Sequence, residues 1–248
     1  MLTALLADLH SNLFALEACL RHARARGAER FVFLGDLVGY GPDPSEVIEL
    51  VSSQRGALVI KGNHDEAIEV EPKLRDLNDV AYATIAWTRK ELSTAQRGFL
   101  AALPLIVHDG GACFVHGSAS RPEKWRYVQD AEAARESMAA ARATHVFCGH
   151  VHDQLLYFGT PAGKTASFRP TPGSSVPVPG HRHWLAIVGS VGQPRDGNPA
   201  AAYALFDAAA EAMSFFRVPY DHEAAARRIV EKGMPLAELL AERIRRGG

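Results

Sequence analysis

Leu2 to Ala7 is a short apolar run that predicts a buried strand. Ser11 or Asn12 then stands where a helix N-cap is needed; Leu13, Leu16 and Leu20 share one face of the helix that follows, and Gly27 supplies its left-handed end. Arg30 to Leu34 (RFVFL) predicts a second strand, Pro44 to Ser53 a second helix and Ala57 to Ile60 a third strand. This alternation implies parallel strands joined by right-handed crossovers, so all three strand ends emerge at one edge of a sheet. In open α/β sheets that edge is where ligands bind.

Helical patterns continue over Leu77 to Leu92 and Thr94 to Ala102, and then the texture changes. Short strand-like runs follow at Leu105–His108, Ala112–His116, His145–Cys148, Leu155–Phe158, Trp184–Gly189, Ala202–Phe206 and Met213–Val218, with one helix near Asp130–Ala143. Between Gly159 and Trp184 five prolines and four glycines predict irregular chain with one strand near Thr165–Phe168. Asp221–Lys232 and Pro235–Arg246 read as two terminal helices. With no internal repeat and no linker, residues 1–248 read as a single domain that carries two C-terminal helices at about 221–246.

The balance of 27 basic and 28 acidic side chains argues against nucleic-acid or anionic-lipid binding by bulk charge. No apolar run reaches the ~18 residues of a membrane span, and the start of the chain meets Asp8 too early for a signal peptide. The three cysteines, Cys19, Cys113 and Cys148, show no CxxC spacing and fit buried thiols in a reducing compartment; the expectation is a cytoplasmic protein. Histidine is unusually abundant, at eleven, so a metal here would be held by nitrogen and oxygen.

Asp8 and His10 lie at i and i+2 where the first strand runs out, Asp36 follows the second strand in Gly35-Asp36, and Gly62-Asn63-His64-Asp65 follows the third. Each alone is an ordinary turn or cap, but three turn accidents on one sheet edge are much less probable than one. Downstream, His116-Gly117 closes one strand, and Gly149-His150-Val151-His152 closes another with the same i, i+2 spacing. Such mixed N and O donors suit a pair of divalent first-row metals. His181 and His183 spell another HxH without a nearby carboxylate and read as surface; His22 and His222 read as solvated helix residues, His108 and His145 as structural.

The order D-x-H, G-D, G-N-H-D, H-G, G-H-x-H resembles the calcineurin-like metallophosphoesterase superfamily. The strings GDLVGYGPDP (Gly35 to Pro44) and VGSVGQPRDG (Val188 to Gly197) look like its bacterial and archaeal branch of small phosphoesterases or phosphodiesterases. The resemblance implies a four-layer α/β/β/α sandwich of two mixed sheets. It places Asp8, His10, Asp36 and His152 on one metal, and Asp36, Asn63, His116 and His150 on the other, with Asp36 as the bridge. The ions would be Mn, Fe, Zn or a mixture, with Ni or Co able to serve in vitro, and a hydroxide shared between them would attack phosphorus. His64 would protonate or hydrogen-bond the leaving oxygen. Protein serine/threonine phosphatases resemble GDxxDRG where this chain has Gly39-Tyr40-Gly41, which argues against that branch and leaves the group that orients His64 open, with Asp65 a candidate.

Arg195, Tyr40 and, in the loop GSASRPEKWRY, Arg121, Trp125 and Tyr127 are candidates for substrate contacts. The basic residues Arg243, Arg245 and Arg246 suit the negative pole of the last helix. The expected partner is a small phosphorylated substrate, a diester or a monoester. Neither a membrane nor stably bound nucleic acid is expected, and a homo-oligomer is left open. The competing readings are a catalytically silent interaction protein on the same fold and a nuclease.

Overall fold

The computed structural model describes residues 1–69 and 78–248. The first half forms as its pattern predicts: β1 (Leu2–Leu6), α1 (Leu13–Ala25), β2 (Arg30–Phe33), α2 (Pro44–Ser52) and β3 (Leu58–Val59), with β1 to β3 paired in parallel. Asn12, not Ser11, caps α1 by accepting from the Ala15 amide at 3.1 Å, and Gly27 follows the helix at φ 86°. A short α3 (Asn63–Ala67) precedes α4 (Asp79–Glu91) and α5 (Thr94–Ala102); the predicted start of α4 at Leu77 lies outside the described residues.

The second half supplies β4 (Ile106–Asp109), β5 (Ala112–Val115), α6 (Ala131–Ala141), β6 (His145–Cys148), β7 (Gln154–Gly159), β8 (Thr165–Phe168), β9 (Ser175–Pro177), β10 (Trp184–Val188), β11 (Ala201–Asp207), β12 (Ala212–Val218), α7 (His222–Glu231) and α8 (Ala237–Arg246). They complete two mixed six-stranded sheets, in the orders β3-β2-β1-β11-β12-β9 and β4-β5-β6-β10-β7-β8. The proline-rich stretch therefore holds one strand more than its composition predicts: β9 pairs with the edge of β12, and Pro177, lacking an N–H, is tolerated because β9 is itself an edge.

Strand alternation builds the layers. Leu5, Val32, Phe114, Phe147, Ala186 and Phe215 point between the sheets. Leu6, Phe33 and Leu205 turn outward onto Leu16, Leu20, Val47 and Ile48 of α1 and α2, while Cys113, Val146 and Leu185 turn outward onto Ala134, Met138 and Ala141 of α6. Each fully buried large side chain contributes about 1.5–3 kcal/mol. All three thiols are buried and unpaired within these clusters. Among the described residues no helix is long and apolar enough to cross a membrane.

In the second sheet β5, β6 and β10 are parallel neighbours. Hydrogen bonds from the Val191 and Gly192 amides to the Ala7 and Asp8 carbonyls then lace the loop after β10 to the loop after β1. The C-terminal ends of six strands from two sheets thus meet at one edge.

Candidate metal centre

The candidate donors sit at that edge, on loops except for Asn63, which opens α3, and five occupy left-handed backbone: Asp8 (φ 53°), His10 (43°), Asp36 (52°), His150 (66°) and His152 (73°). Each such residue costs on the order of 1–3 kcal/mol. The surroundings hold them there: the amides of Asp8, His10 and Ser11 bond the carbonyls of Gly35, Asp36 and Leu37, extending the β1–β2 pairing into both loops. Gly62 is required by close approach, because a Cβ there would collide with the Asp36 carboxylate.

Asp36 is the centre. Its Oδ1 accepts from the His64 amide at 2.9 Å, and its Oδ2 lies 3.4 Å from His116 Nε2, 3.8 Å from His10 Nε2 and 4.0 Å from His64 Nε2. On one side Asp8, His10 and His152 converge, with His10 Nε2 3.1 Å from His152 Nε2 and His152 Nε2 3.4 Å from Asp8 Oδ1. On the other, His116 Nε2 lies 3.1 Å from His150 Nδ1 and 3.2 Å from Asn63 Oδ1. The structure therefore brings together all seven residues that the sequence singled out as metal donors, with His64 beside them, and 5% or less of His10, His64, His116, His150 and His152 is exposed.

The far ring nitrogens explain why these distances matter. His10 Nδ1 bonds the Val38 carbonyl (3.2 Å), His116 Nδ1 that of Leu34 (2.7 Å), His152 Nδ1 that of Gln193 (2.5 Å) and His150 Nε2 that of Trp125 (2.8 Å). A carbonyl only accepts, so each of these nitrogens carries the proton and the opposite nitrogen of a neutral ring presents a lone pair. In the first group two such nitrogens, on His10 and His152, face each other at 3.1 Å; in the second, His116 Nε2 faces His150 Nδ1 at the same distance and becomes a donor on losing its proton, so both groups suit a cation. The donor set fits a pair of divalent ions sharing Asp36.

Burial dominates the electrostatics. It pushes His10 and His152 well below the ordinary histidine range and His150 down to about 3, so all three are neutral. Burial would also lower His116, but the Asp36 carboxylate more than offsets it and lifts that ring to about 9. Asp8 is pushed up to about 7 by burial. Asp36 is buried too, yet His116, His64 and His10 hold it well below the usual carboxylate range.

Asp65, considered above as the group that orients His64, does something else. Its Oδ1 accepts from the Leu37 and Val38 amides and its Oδ2 from the Gly62 amide, so it clasps the loops after β2 and β3 and closes the first turn of α3 from the third helical position. The ring of His64 is instead packed against Tyr40 and His10, at centroid distances of 4.7 and 5.0 Å, and its Nδ1 has no hydrogen-bond partner among the described residues.

The substrate candidates divide. Tyr127 stacks on His150 at 3.9 Å, and the Arg195 guanidinium lies 5.9 Å from the centre of the Tyr40 ring. Trp125 contributes its carbonyl to His150 while its indole donates to Glu66 at 3.0 Å, which makes it an anchor of the loop. Arg121 is exposed, and among the described residues its side chain bonds none of the site residues. His22, expected to be solvated, is half-buried against Tyr203, whose hydroxyl lies 2.7 Å from its Nδ1. The carbonyls that fix the four rings could not be read from the sequence, because a main-chain oxygen has no residue type.

The calcineurin-like phosphoesterase superfamily domain matches residues 1–211. The chain is 32% identical to the uncharacterized protein MJ0912 of Methanocaldococcus jannaschii over 97% of its own length and 96% of that protein. The crystal structure of a metallophosphoesterase from Sphaerobacter thermophilus superimposes with a TM-score of 0.87 at 33% identity, covering 100% of this chain and 99% of that one. The hypothetical protein PH1004 of Pyrococcus horikoshii shares the fold, with a TM-score of 0.80 at 24% identity over 100% of this chain and 98% of that one.

Proposed function

The chain belongs to the calcineurin-like phosphoesterase superfamily, and from that premise we propose that it is a dinuclear metal-dependent phosphoesterase acting on a small phosphodiester or phosphomonoester. The observation that carries this reading is two facing pairs of histidine nitrogens, His10 with His152 and His116 with His150, on either side of one carboxylate oxygen, Asp36 Oδ2. Asp8, His10, Asp36 and His152 would hold one ion; Asp36, Asn63, His116 and His150 would hold the other. Manganese, iron and zinc all suit this donor set.

When bound, such ions supply an activated water nucleophile and neutralise charge on the phosphate oxygens. The protein's own part is to aim the donors. The Val38, Leu34, Trp125 and Gln193 carbonyls fix ring orientation, and the Asp65 clasp fixes the relation of Asp36 to Asn63. Two carboxylates facing two dications leave the centre locally positive, so a chain with a formal charge of −1 still draws in a phosphate.

His64 serves the leaving group. Burial lowers its pKa, so the ring is neutral near pH 7 and donates through its one N–H. The leaving oxygen, as it gains charge, accepts that hydrogen bond more strongly than the ground-state ester does. Tyr40 and His10 set the ring's plane, and a side chain at position 39 would drive into it, with a Cβ only 2.5 Å from Nδ1.

His64→Ala tests the assignment. The variant should keep both ions and lose ~10²- to 10⁴-fold in turnover of bis-p-nitrophenyl phosphate or p-nitrophenyl phosphate. Retained turnover, or loss of metal, would contradict the role. A wild-type protein inactive on both esters with Mn, Fe, Co, Ni and Zn would favour the silent interaction protein.

A further inference from the structure

The α7–α8 hairpin lies beyond the residues matched by the superfamily domain. Its buried face, including Ala225, Ala226, Ile229, Leu240, Ala241 and Ile244, joins Tyr40 in one apolar cluster. Tyr40 is also the ring that packs on His64 and His10, so the hairpin is braced against the wall of the candidate metal centre.

Beside Tyr40 opens a cavity of about 270 Å³ lined by Tyr40, Asn78, Gln193, Arg195, Arg243 and Gly248. Two of these residues are arginines and none has an acidic side chain; the one anionic group is the main-chain carboxylate of Gly248, which a bound phosphate would displace from the arginines. Arg245 and Arg246 of α8 are paired with Glu223 and Glu242, whereas Arg243 has no ion pair among the described residues. Arg195 bonds Gln193 Oε1 at 3.4 Å, and the carbonyl of the same Gln193 fixes the proposed metal donor His152. The cavity thus borders the centre at Tyr40 and Gln193. Ligand sites for drug-sized molecules run to about 300–1,000 Å³, so this one has room for a single substituent.

We propose that this cavity is a subsite for a second phosphate, and that the enzyme prefers small phosphate esters carrying one. The proposal rests on the phosphoesterase reading and names the substrate class for it. Arg195 and Arg243 would grip the distal phosphate through charge-assisted hydrogen bonds while the scissile phosphate sits at Asp36. A guanidinium suits a phosphate through two parallel N–H bonds that an ammonium cannot reproduce.

Isothermal titration of the manganese-loaded protein with thymidine 3′,5′-bisphosphate and with thymidine 5′-phosphate tests it. Wild type should bind the bisphosphate about tenfold or more tightly. Arg243→Gln and Arg195→Gln should each bring the ratio towards one, and Arg243→Lys should recover part of it. Arg246→Gln, on the exposed face and outside the cavity, should leave it unchanged. A wild-type ratio near one, or a ratio that survives both glutamine variants, overturns the subsite. Failure of the underlying reading shows separately, as no release of p-nitrophenolate from thymidine 5′-(p-nitrophenyl phosphate) with any of the five metals.

Discussion

Metal binding to this site should expel a proton from one identifiable ring. In the metal-free protein His116 lies 3.4 Å from Asp36 Oδ2 and its Nδ1 is bonded to the Leu34 carbonyl; although burial opposes the charge, the carboxylate lifts the ring to about 9. His150, facing it, is held at about 3 by burial and by the charge on His116. At pH 8 His116 is then about nine-tenths protonated and Asp8, at about 7, about one-tenth, so ligation displaces about one proton from the protein's side chains. The sign follows: protons compete with the ion at His116 Nε2, so affinity rises with pH and levels off above about 9. At pH 7 the competition costs on the order of a hundredfold in affinity. The same ion pair stabilises the metal-free fold fully below the ordinary histidine value of 6.5, and that contribution is lost as pH rises through 9. Histidine-labelled NMR of chelator-treated protein, assigned with His116→Gln, reads the ring directly. It should remain charged up to about pH 9 and become neutral when zinc is added at pH 8. A His116 that titrates at or below 6.5, or a zinc affinity flat between pH 7 and 9, would refute the reasoning.

Two substitutions probe the scaffold. Gly62→Ala puts a methyl into the Asp36 carboxylate, so metal affinity should fall at least tenfold and stability by about 1–3 kcal/mol; equilibrium dialysis and urea unfolding measure both, and an unaltered affinity would contradict the packing. Asn12→Ala removes the α1 cap and two donations, to the Gly192 carbonyl at 3.0 Å and the Tyr220 hydroxyl at 3.1 Å. Its expected cost in urea is about 2–4 kcal/mol, and less than half a kcal/mol would show that the bonds are dispensable.

How legible the site was depended on where the information lay. Asp8, Asp36 and Asn63 could be read because three parallel strands deliver their loops to one edge, whereas His116 and His150, on the second sheet, joined them only through the order of motifs in the family resemblance. What holds them was not readable. The ring-fixing carbonyls carry no residue signature, and Asp65, readable as a helix cap or a partner for His64, does cap α3 through the Gly62 amide, but its bonds from the Leu37 and Val38 amides had no local signal. β9 was missed because its pairing comes from β12, about forty residues on, and not from local propensity. Arg243 was hidden by a sufficient simpler explanation, since a basic residue in the last turn of a helix already complements the dipole.

The central claim is that two ions share Asp36. Metal content after dialysis against manganese or zinc tests it most directly. Wild type should retain two equivalents per chain and Asp36→Ala should lose both, because Oδ2 faces both donor groups. One equivalent in wild type, or an Asp36→Ala variant that keeps one ion at wild-type affinity, would contradict a shared bridge.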